Sequence, residues 1–205
     1  MHGTIAAVIL AGGGGRRLGG VDKAMLPLAG RPLLAHVLTR LRPQTDRILL
    51  SANGDPTRFA AFGLPVVPDN VPGQGPLAGI AAAAAACQDR WPAVRWLVTA
   101  PVDTPLLPED LISRLWEARP PGSGGAVVAE AGGRRHWTVA LWPIGAAVAL
   151  AERIADGPSG EGLRRLEEGL SEAGWHAAAF PDADAFANIN NEQNFEDVSR
   201  LLGEL

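Results

Sequence analysis

The sequence predicts a single-domain, three-layer α/β fold in which helices cover both faces of a mostly parallel sheet. Short β-branched or leucine-rich runs alternate with longer segments of helical period, which is the pattern of strands alternating with covering helices. The length of 205 residues suits one compact domain, and the 47% apolar and 20% charged residues are typical of a globular chain. We therefore interpret residues 1–205 as a single domain.

Apolar and β-branched runs predict the strands of this sheet. They cover Ile5–Leu10, Arg47–Ser51, Pro65–Val67, Trp96–Thr99, Ala126–Ala129, Thr138–Trp142 and His176–Phe180. Segments with apolar residues at helical spacing predict the covering helices. They cover Pro32–Leu41, Pro56–Phe62, Leu77–Asp89, Pro108–Ala118, Ile144–Ile154, Glu161–Ala173 and Asn191–Leu202. Several of these helices begin with a proline in the first turn, where its missing N–H and fixed φ cost nothing.

Charge and cysteine content exclude several classes of function. Acidic residues outnumber basic ones by 22 to 18, so the chain has no overall basic field, and we expect neither nucleic acid nor a membrane as a partner. The single cysteine, Cys87, has no partner for an internal disulfide, which fits a cytoplasmic protein. The longest apolar run, around Ile80–Cys87, is far shorter than the roughly 20 residues that cross a bilayer.

A glycine-rich loop follows the first predicted strand. The stretch Leu10–Lys23, LAGGGGRRLGGVDK, contains six glycines together with Arg16, Arg17 and Lys23. Its spacing does not match the dinucleotide pattern G-x-G-x-x-G, because Arg17 or Leu18 stands where the third glycine is required. It does not match the P-loop either, because Gly20 is not followed by Lys and then Ser or Thr. Glycine N–H groups can nevertheless form an anion-binding nest, and three cations bring the charge that a triphosphate needs. The loop therefore predicts a local phosphate site.

Polar residues follow three further predicted strands. Asn53 lies in SANGD after the second strand, Asp69 precedes the alanine-rich helix, and Asp103 lies in APVDTP after the fourth strand. Ligands of open α/β sheets bind beyond the carboxyl ends of the strands, so we expect these residues to share one site with the loop. The alternative to a binding role is a structural one for each residue. Asp103 would then be a turn residue between two prolines, and Asn53 and Asp69 would shape their loops.

Four motifs, taken in order, resemble one enzyme family. The stretches LAGGGGRRLGGVDKAMLPLAGRPLLAHV, GPLAG, APVDTPLLPEDL and FANINNEQNF resemble the molybdenum cofactor guanylyltransferases, from Ile5 to about Leu202. The resemblance implies a Rossmann-like nucleotidyltransferase fold, with GTP as substrate, Mg²⁺ as cofactor and molybdopterin as the acceptor of GMP. It also implies contacts with molybdenum cofactor synthesis proteins and with recipient molybdoenzymes.

The resemblance also assigns roles to individual residues. It places nucleotide contacts at Leu10, Ala11, Gly12, Gly13, Lys23, Asn53, Asp69 and Asp103. It assigns catalysis to Arg17, Lys23 and Asp103, makes Asp103 the Mg²⁺ ligand, and leaves Arg16 as an exposed residue. A phosphate monoester acceptor is already ionised near pH 7, so no catalytic base is needed and the barrier is mainly electrostatic.

The acceptor half of the predicted site departs from the family pattern. Val102 stands where cysteine is common, and the last motif has Asn194 where the family usually has an acid. The downstream arginine region, GEGLRRL, leaves the choice between Arg164 and Arg165 open. We interpret His136 as a hydrogen-bonded structural residue and not as a proton carrier.

Asn188 and Asn190 in the same last motif have no assigned role. Asn190 fits both a ligand contact and the cap of a helix with Gln193 three residues later.

Two alternatives for the function of the whole protein stay open at this point. One is a cytidylyltransferase or other nucleotidyltransferase of the same fold with a different acceptor, and the other is a nucleotide-binding module without catalysis.

Overall fold

A sheet of seven strands is the middle layer of the part of the chain that the structure describes. The structure, a computed structural model, describes residues 4–12, 22–69, 75–122, 124–155 and 162–203. The strands are β1 (Ile5–Leu10), β2 (Pro27–Leu28), β3 (Arg31–Pro32), β4 (Ile48–Ser51), β5 (Val66–Val67), β6 (Trp96–Pro101), β7 (Ala126–Ala131), β8 (Arg134–Pro143) and β9 (Trp175–Phe180). The α-helices are α1 (Leu33–Leu41), α2 (Pro76–Arg90), α3 (Leu111–Glu117), α4 (Ile144–Ala155), α5 (Gly162–Ala173) and α6 (Glu192–Gly203).

The strand order of the large sheet is β5-β4-β1-β6-β8-β7-β9. β1 lies between β4 and β6 and pairs in parallel with both, with Ala7 opposite Ile48 and Ile5 opposite Trp96. β8 runs antiparallel to both of its neighbours, β6 and β7, while β7 and β9 pair in parallel. The predicted mostly parallel α/β sheet is therefore confirmed, and β8 is its one reversed strand among the described residues.

Helices cover both faces of this sheet and divide the core in two. Every residue of β1 is buried, and its side chains alternate between the two halves of the core. Ile5, Ala7 and Ile9 face the half that contains α1, α3 and α6. The remaining three residues of β1 face the half that contains α2, α4 and α5. None of the described helices is long and apolar enough to span a membrane.

Several local elements differ from the sequence-based expectation, among them two unpredicted 3₁₀ helices, Lys23–Met25 and Asp184–Phe186. The segment Pro56–Phe62, predicted as a helix, is a 3₁₀ helix. It ends at Gly63, whose φ of 66° lies in the left-handed region that glycine adopts without strain. The hairpin of β2 and β3 was not predicted. Its turn residues, Ala29 and Gly30, have φ values of 47° and 75°, which is the geometry of a tight hairpin turn without the Asn-Gly or Asp-Gly signal.

Gly79 lets α2 approach the carboxyl end of β4. A Cβ at this position would stand 2.5 Å from Oγ of the buried Ser51. We expect Gly79→Ala to lower the free energy of unfolding by about 1–3 kcal/mol, the usual cost of forcing a methyl group into a packed interior. Urea unfolding of the purified variant measures this change.

The matched control is Gly145→Ala in α4, where an added Cβ meets no atom within 4 Å among the described residues. That change should leave stability equal or slightly higher, because alanine is the better helix former. The double variant Gly79→Ala/Ser51→Ala should recover most of the lost stability. A Gly79→Ala protein as stable as the parent would contradict the close approach of helix and strand.

Candidate active site

Four adjacent parallel strands bring the predicted polar residues to one edge of the sheet. Asp69, Asn53, Gly12 and Asp103 follow β5, β4, β1 and β6, which are neighbours in that order. Backbone hydrogen bonds continue the strand pairing into these loops. The Ala11 amide donates to the Ser51 carbonyl at 2.8 Å, and the Val102 amide donates to the Leu10 carbonyl at 3.0 Å. The loops are thus held side by side, as expected for a site at the carboxyl ends of parallel strands.

Lys23 lies at the centre of the first group of contacts. Its Nζ donates to Oδ2 of Asp103 at 2.7 Å and to Oδ1 of Asn190 at 2.9 Å. The Lys23 and Asp103 side chains are each 20% exposed, so the ion pair is accessible from solvent. The Ile189 amide donates to the backbone carbonyl of Asp103 at 2.9 Å, which ties the Asn190 segment to the loop after β6. We call Lys23, Asp103 and Asn190 the lysine cluster.

Asn53 and Asp69 form a second group of contacts. The Asn53 side-chain amide donates to Oδ1 of Asp69 at 2.7 Å, and its Oδ1 accepts from the Asp69 backbone amide at 2.9 Å. Gly12 passes close by, since a Cβ there would stand 3.4 Å from Oδ2 of Asp69. These two hydrogen bonds fix the orientation of both side chains before any ligand binds.

The structure brings together the described members of the predicted site. Leu10, Ala11, Gly12, Asn53 and Asp69 meet at one end of the edge, and Lys23 and Asp103 meet at the other. Gly13, Arg16 and Arg17 lie outside the described residues. Arg164 and Arg165 belong to α5, but only their backbone is described.

The helix-start interpretation of Asn190 is corrected by one residue. The residue that caps α6 is Asn191, whose Oδ1 accepts from the Asn194 amide at 2.8 Å. Oδ1 of Asn194 in turn accepts from the Asn190 amide at 3.4 Å. A cap one residue later leaves the Asn190 side chain available to Lys23, whose Nζ it contacts.

His136 lines a cavity that also reaches Asn194, whose side chain accepts from the Asn190 amide. This cavity of about 530 Å³ between the β7–β8 hairpin and α6 is lined by His136, Arg134 and Asn188, among others. The imidazole stacks on Phe186 with ring centroids 4.5 Å apart. Burial, and secondly the charge of Arg134, lower the pKa of His136 below its ordinary value. The buried Nε2 of His136 has no hydrogen-bond partner among the described residues, so the hydrogen-bonded structural role of this histidine stays a prediction.

The lysine content of the chain is a further sequence signal that points to Lys23. Of the 18 basic Lys and Arg residues, Lys23 is the only lysine, so all other basic positions carry arginine. Lysine is a compact charge with three donors, whereas arginine is a planar fork. A compact ammonium group suits the observed simultaneous contact of Lys23 with Asp103 and Asn190.

The oxygen donors at this edge suit a metal that arrives with a nucleotide. Within the described ranges, no group of three His, Cys, Asp or Glu residues is placed to hold a metal ion. A single carboxylate, that of Asp103, is nevertheless the kind of ligand that Mg²⁺ takes when phosphate oxygens and waters complete its shell. The donor set therefore fits a magnesium–nucleotide complex and does not fit a closed metal cage built by the protein alone.

Residues 7–174 match the family model described as the MobA-like NTP transferase domain. The chain is also similar over most of its length to curated relatives. It is 48% identical to the molybdenum cofactor guanylyltransferase of Cereibacter sphaeroides over 199 residues, which are 95% of each chain. It is 47% identical to the protein of the same name from Acidiphilium cryptum, over 94% of this chain and 92% of that one.

Solved structures show the same fold at low sequence identity. Molybdopterin-guanine dinucleotide biosynthesis protein A from Archaeoglobus fulgidus superposes with a TM-score of 0.72 at 20% identity, over 98% of this chain and 100% of that one. A CMP:2-keto-3-deoxy-manno-octonic acid synthetase complexed with CTP superposes with a TM-score of 0.71 at 14% identity, over 98% and 99%. At these identities the likeness concerns the fold alone.

Proposed function

The chain belongs to the MobA-like NTP transferase family and, within it, to the molybdenum cofactor guanylyltransferases, and from this premise we propose that it transfers GMP from GTP to molybdopterin. The products are the guanine dinucleotide form of the cofactor and pyrophosphate. The observation that carries the proposal is the lysine cluster, in which Lys23 contacts both Asp103 and Asn190 at the carboxyl edge of the sheet. Cofactor synthesis proteins and recipient molybdoenzymes are the proposed protein partners, and the cytoplasm is the proposed location.

The proposed reaction is a single displacement at the α-phosphorus of GTP. An oxygen of the terminal phosphate of molybdopterin attacks this phosphorus, a new P–O bond forms, and the bond to the β-phosphate oxygen breaks as pyrophosphate leaves. The attacking oxygen is already ionised near neutral pH, so no side chain has to remove a proton. The enzyme has to position two anions and neutralise their charge, which is the main contribution in phosphate transfers of this kind.

Lys23 and Asp103 are the proposed catalytic residues of the described chain. The Lys23 ammonium is held by Asp103 and Asn190, so it would contact phosphate oxygens beside the proposed metal ligand. Asp103 would hold Mg²⁺, which, when bound, neutralises charge on the triphosphate and orients it. The glycine loop with Gly13 and Arg17 is assigned to the same triphosphate by its motif alone.

We expect GTP to bind more tightly than CTP or ATP. Asn53 and Asp69 hold each other in a fixed orientation next to Gly12, and fixed polar groups suit the donors and the acceptor on the edge of guanine. A site that pairs with these groups rejects a base that lacks them, because its own polar atoms then stay unpaired. Calorimetry with each nucleotide in the presence of Mg²⁺ measures the preference.

The matched variant for this experiment is Asn53→Ala, which removes both hydrogen bonds to Asp69. It should reduce the difference in affinity between GTP and CTP while leaving the affinity for inorganic triphosphate unchanged. Equal affinity of the parent protein for GTP and CTP would assign the chain to cytidylyl transfer instead. Strong GTP binding without turnover in the presence of molybdopterin would favour a binding module without catalysis.

A further inference from the structure

Arg58 joins the two groups of contacts at the edge of the sheet. It is the third residue of the 3₁₀ helix Pro56–Phe62, and every nitrogen of its guanidinium group donates a hydrogen bond. Nε donates to Oδ2 of Asp22 at 2.6 Å, and Nη2 donates to the backbone carbonyl of Asn53 at 2.6 Å. Nη1 donates to the backbone carbonyl of Asp55. The side chains of Arg58 and Asp22 are 32% and 29% exposed.

The partners of Arg58 lead to both halves of the candidate site. Asp22 directly precedes Lys23, and its other oxygen, Oδ1, accepts from the Ala24 amide at 3.1 Å and so caps the short turn that carries Lys23. Asn53 holds Asp69 with its side chain while its carbonyl is held by Arg58. Asp22, near the end of the glycine-rich stretch, therefore belongs to this network, and Gly12, near its start, lies beside Asp69.

The local sequence keeps Arg58 in this position. Gly54 has a φ of 82°, and a Cβ there would stand 3.3 Å from Nη1 of Arg58, so a glycine gives the guanidinium room. Asp55 caps the 3₁₀ helix through the Thr57 amide at 2.9 Å. The guanidinium carbon lies 4.2 Å from the ring centroid of the buried Phe59. A lysine could not replace this arrangement, because one ammonium cannot make three bonds in the plane of a fork.

We propose that Arg58 is a positioning residue that couples the phosphate end of the nucleotide site to its base end. Through Asp22 it sets the position of the turn that carries Lys23, and through the Asn53 carbonyl it sets the position of the Asn53–Asp69 pair. This role requires no contact between Arg58 and the nucleotide. The inference rests on the proposed guanylyl transfer, because it takes Lys23 and Asn53 as contacts to the two ends of GTP.

The test compares Arg58→Ala with a substitution of Arg42, an arginine at the end of α1 that contacts the same 3₁₀ helix. Arg42 donates from Nη2 to the carbonyl of Phe62, the last residue of that 3₁₀ helix, at 2.8 Å, and Phe62 has no place in the site. Arg42→Ala removes one arginine contact to this segment and Arg58→Ala removes three, so the thermal midpoint should fall in both variants and fall further in Arg58→Ala. Metal-free GTP affinity should fall about tenfold for Arg58→Ala, the size of a coupling between residues in one network, and stay within about twofold for Arg42→Ala.

A double-mutant cycle separates positioning from direct contact. Asp22→Asn leaves an oxygen for the Ala24 amide but removes the acceptor for Arg58, so alone it should also weaken GTP binding. Combined with Arg58→Ala, it should weaken binding no further than Arg58→Ala alone, because Arg58→Ala already breaks the connection to Asp22. Arg58→Lys should also bind GTP weakly while folding normally, which supplies the measurement if the alanine variant is poorly folded. In turnover, Arg58→Lys should raise the KM for GTP more than it lowers kcat.

Two results would overturn the inference. One is a GTP affinity of Arg58→Ala and Arg58→Lys equal to that of Arg42→Ala, which would make Arg58 a purely structural residue. The other is additivity of Arg58→Ala and Asp22→Asn, which would mean that Arg58 acts on the nucleotide by a separate route. A parent protein that does not bind GTP would instead contradict the proposed function, and this outcome is read from the parent before any variant is made.

Discussion

Replacing Asp103 by asparagine should reduce magnesium-dependent guanylyl transfer by about a hundredfold to a thousandfold, the loss seen when a preorganised charge contact is removed from a transition state. Asparagine keeps the size of the side chain and an oxygen that can accept from Lys23, but it lacks the negative charge that binds a hard cation. The Lys23–Asp103 pair is partly exposed, so its loss should change the free energy of unfolding by less than about 1 kcal/mol. Turnover against Mg²⁺ concentration and the thermal midpoint measure the two effects.

The control for Asp103→Asn is Asp110→Asn. Asp110 also forms an ion pair, with Arg114 at 2.5 Å, but it lies at the start of α3, away from the lysine cluster. Asp110→Asn should leave both the turnover and its dependence on Mg²⁺ unchanged.

The affinity of Asp103→Asn for GTP without metal should equal or exceed that of the parent, because one carboxylate facing the triphosphate is gone.

The alternative role of Asp103 as a turn residue predicts the opposite pattern. A variant that lost only a turn contact would be less stable, while its folded fraction would retain normal specific activity. Asp103→Asn with the turnover of the parent at ordinary magnesium concentrations would rule out the metal role.

Much of this architecture could be predicted because it follows from short sequence patterns, namely apolar strands and the polar residues that come after them. β1 is apolar at every position and buried on both faces, so its place in the middle of a covered sheet follows from composition alone. The rule that ligands bind at the carboxyl ends of parallel strands then placed Asn53, Asp69 and Asp103 at one edge, where the structure has them. The family suggested by the motifs is confirmed by the match over residues 7–174.

Contacts between distant parts of the chain could not be read from those patterns. Lys23 is 80 positions from Asp103 and 167 from Asn190, and no local rule pairs side chains over such separations. The reversal of β8 depends on its pairing with β6 and β7, which its own sequence does not specify. The contacts of Arg58 with Asp22 and Asn53 could not be predicted for a similar reason. An arginine in a short helix after a loop has the sequence pattern of an exposed residue.

Replacing Lys23 by arginine should lower turnover by about a hundredfold, although the charge is conserved. The ammonium nitrogen stands 2.7 Å from Asp103 and 2.9 Å from Asn190, a spacing that suits one compact donor group. A guanidinium group is planar and longer, so it would displace either these partners or the phosphates. Lys23→Ala should lose at least as much activity, and Arg31→Lys, at an exposed arginine that donates to Thr39, is the control exchange without effect.

The composition of the chain makes this prediction unusually easy to test without turnover. Because Lys23 is the only lysine, incorporation of ¹³C-labelled lysine gives one side-chain Cε signal and leaves all three N–H donors of the ammonium group in place. Saturating GTP without metal should shift this signal, since phosphate oxygens replace Asp103 and Asn190 as neighbours of the nitrogen. Asp103→Asn should shift it already in the free protein. A signal that GTP leaves unmoved, together with full activity of Lys23→Arg, would show that the ammonium group does not contact the nucleotide, and the preference for lysine at this one position would need another cause.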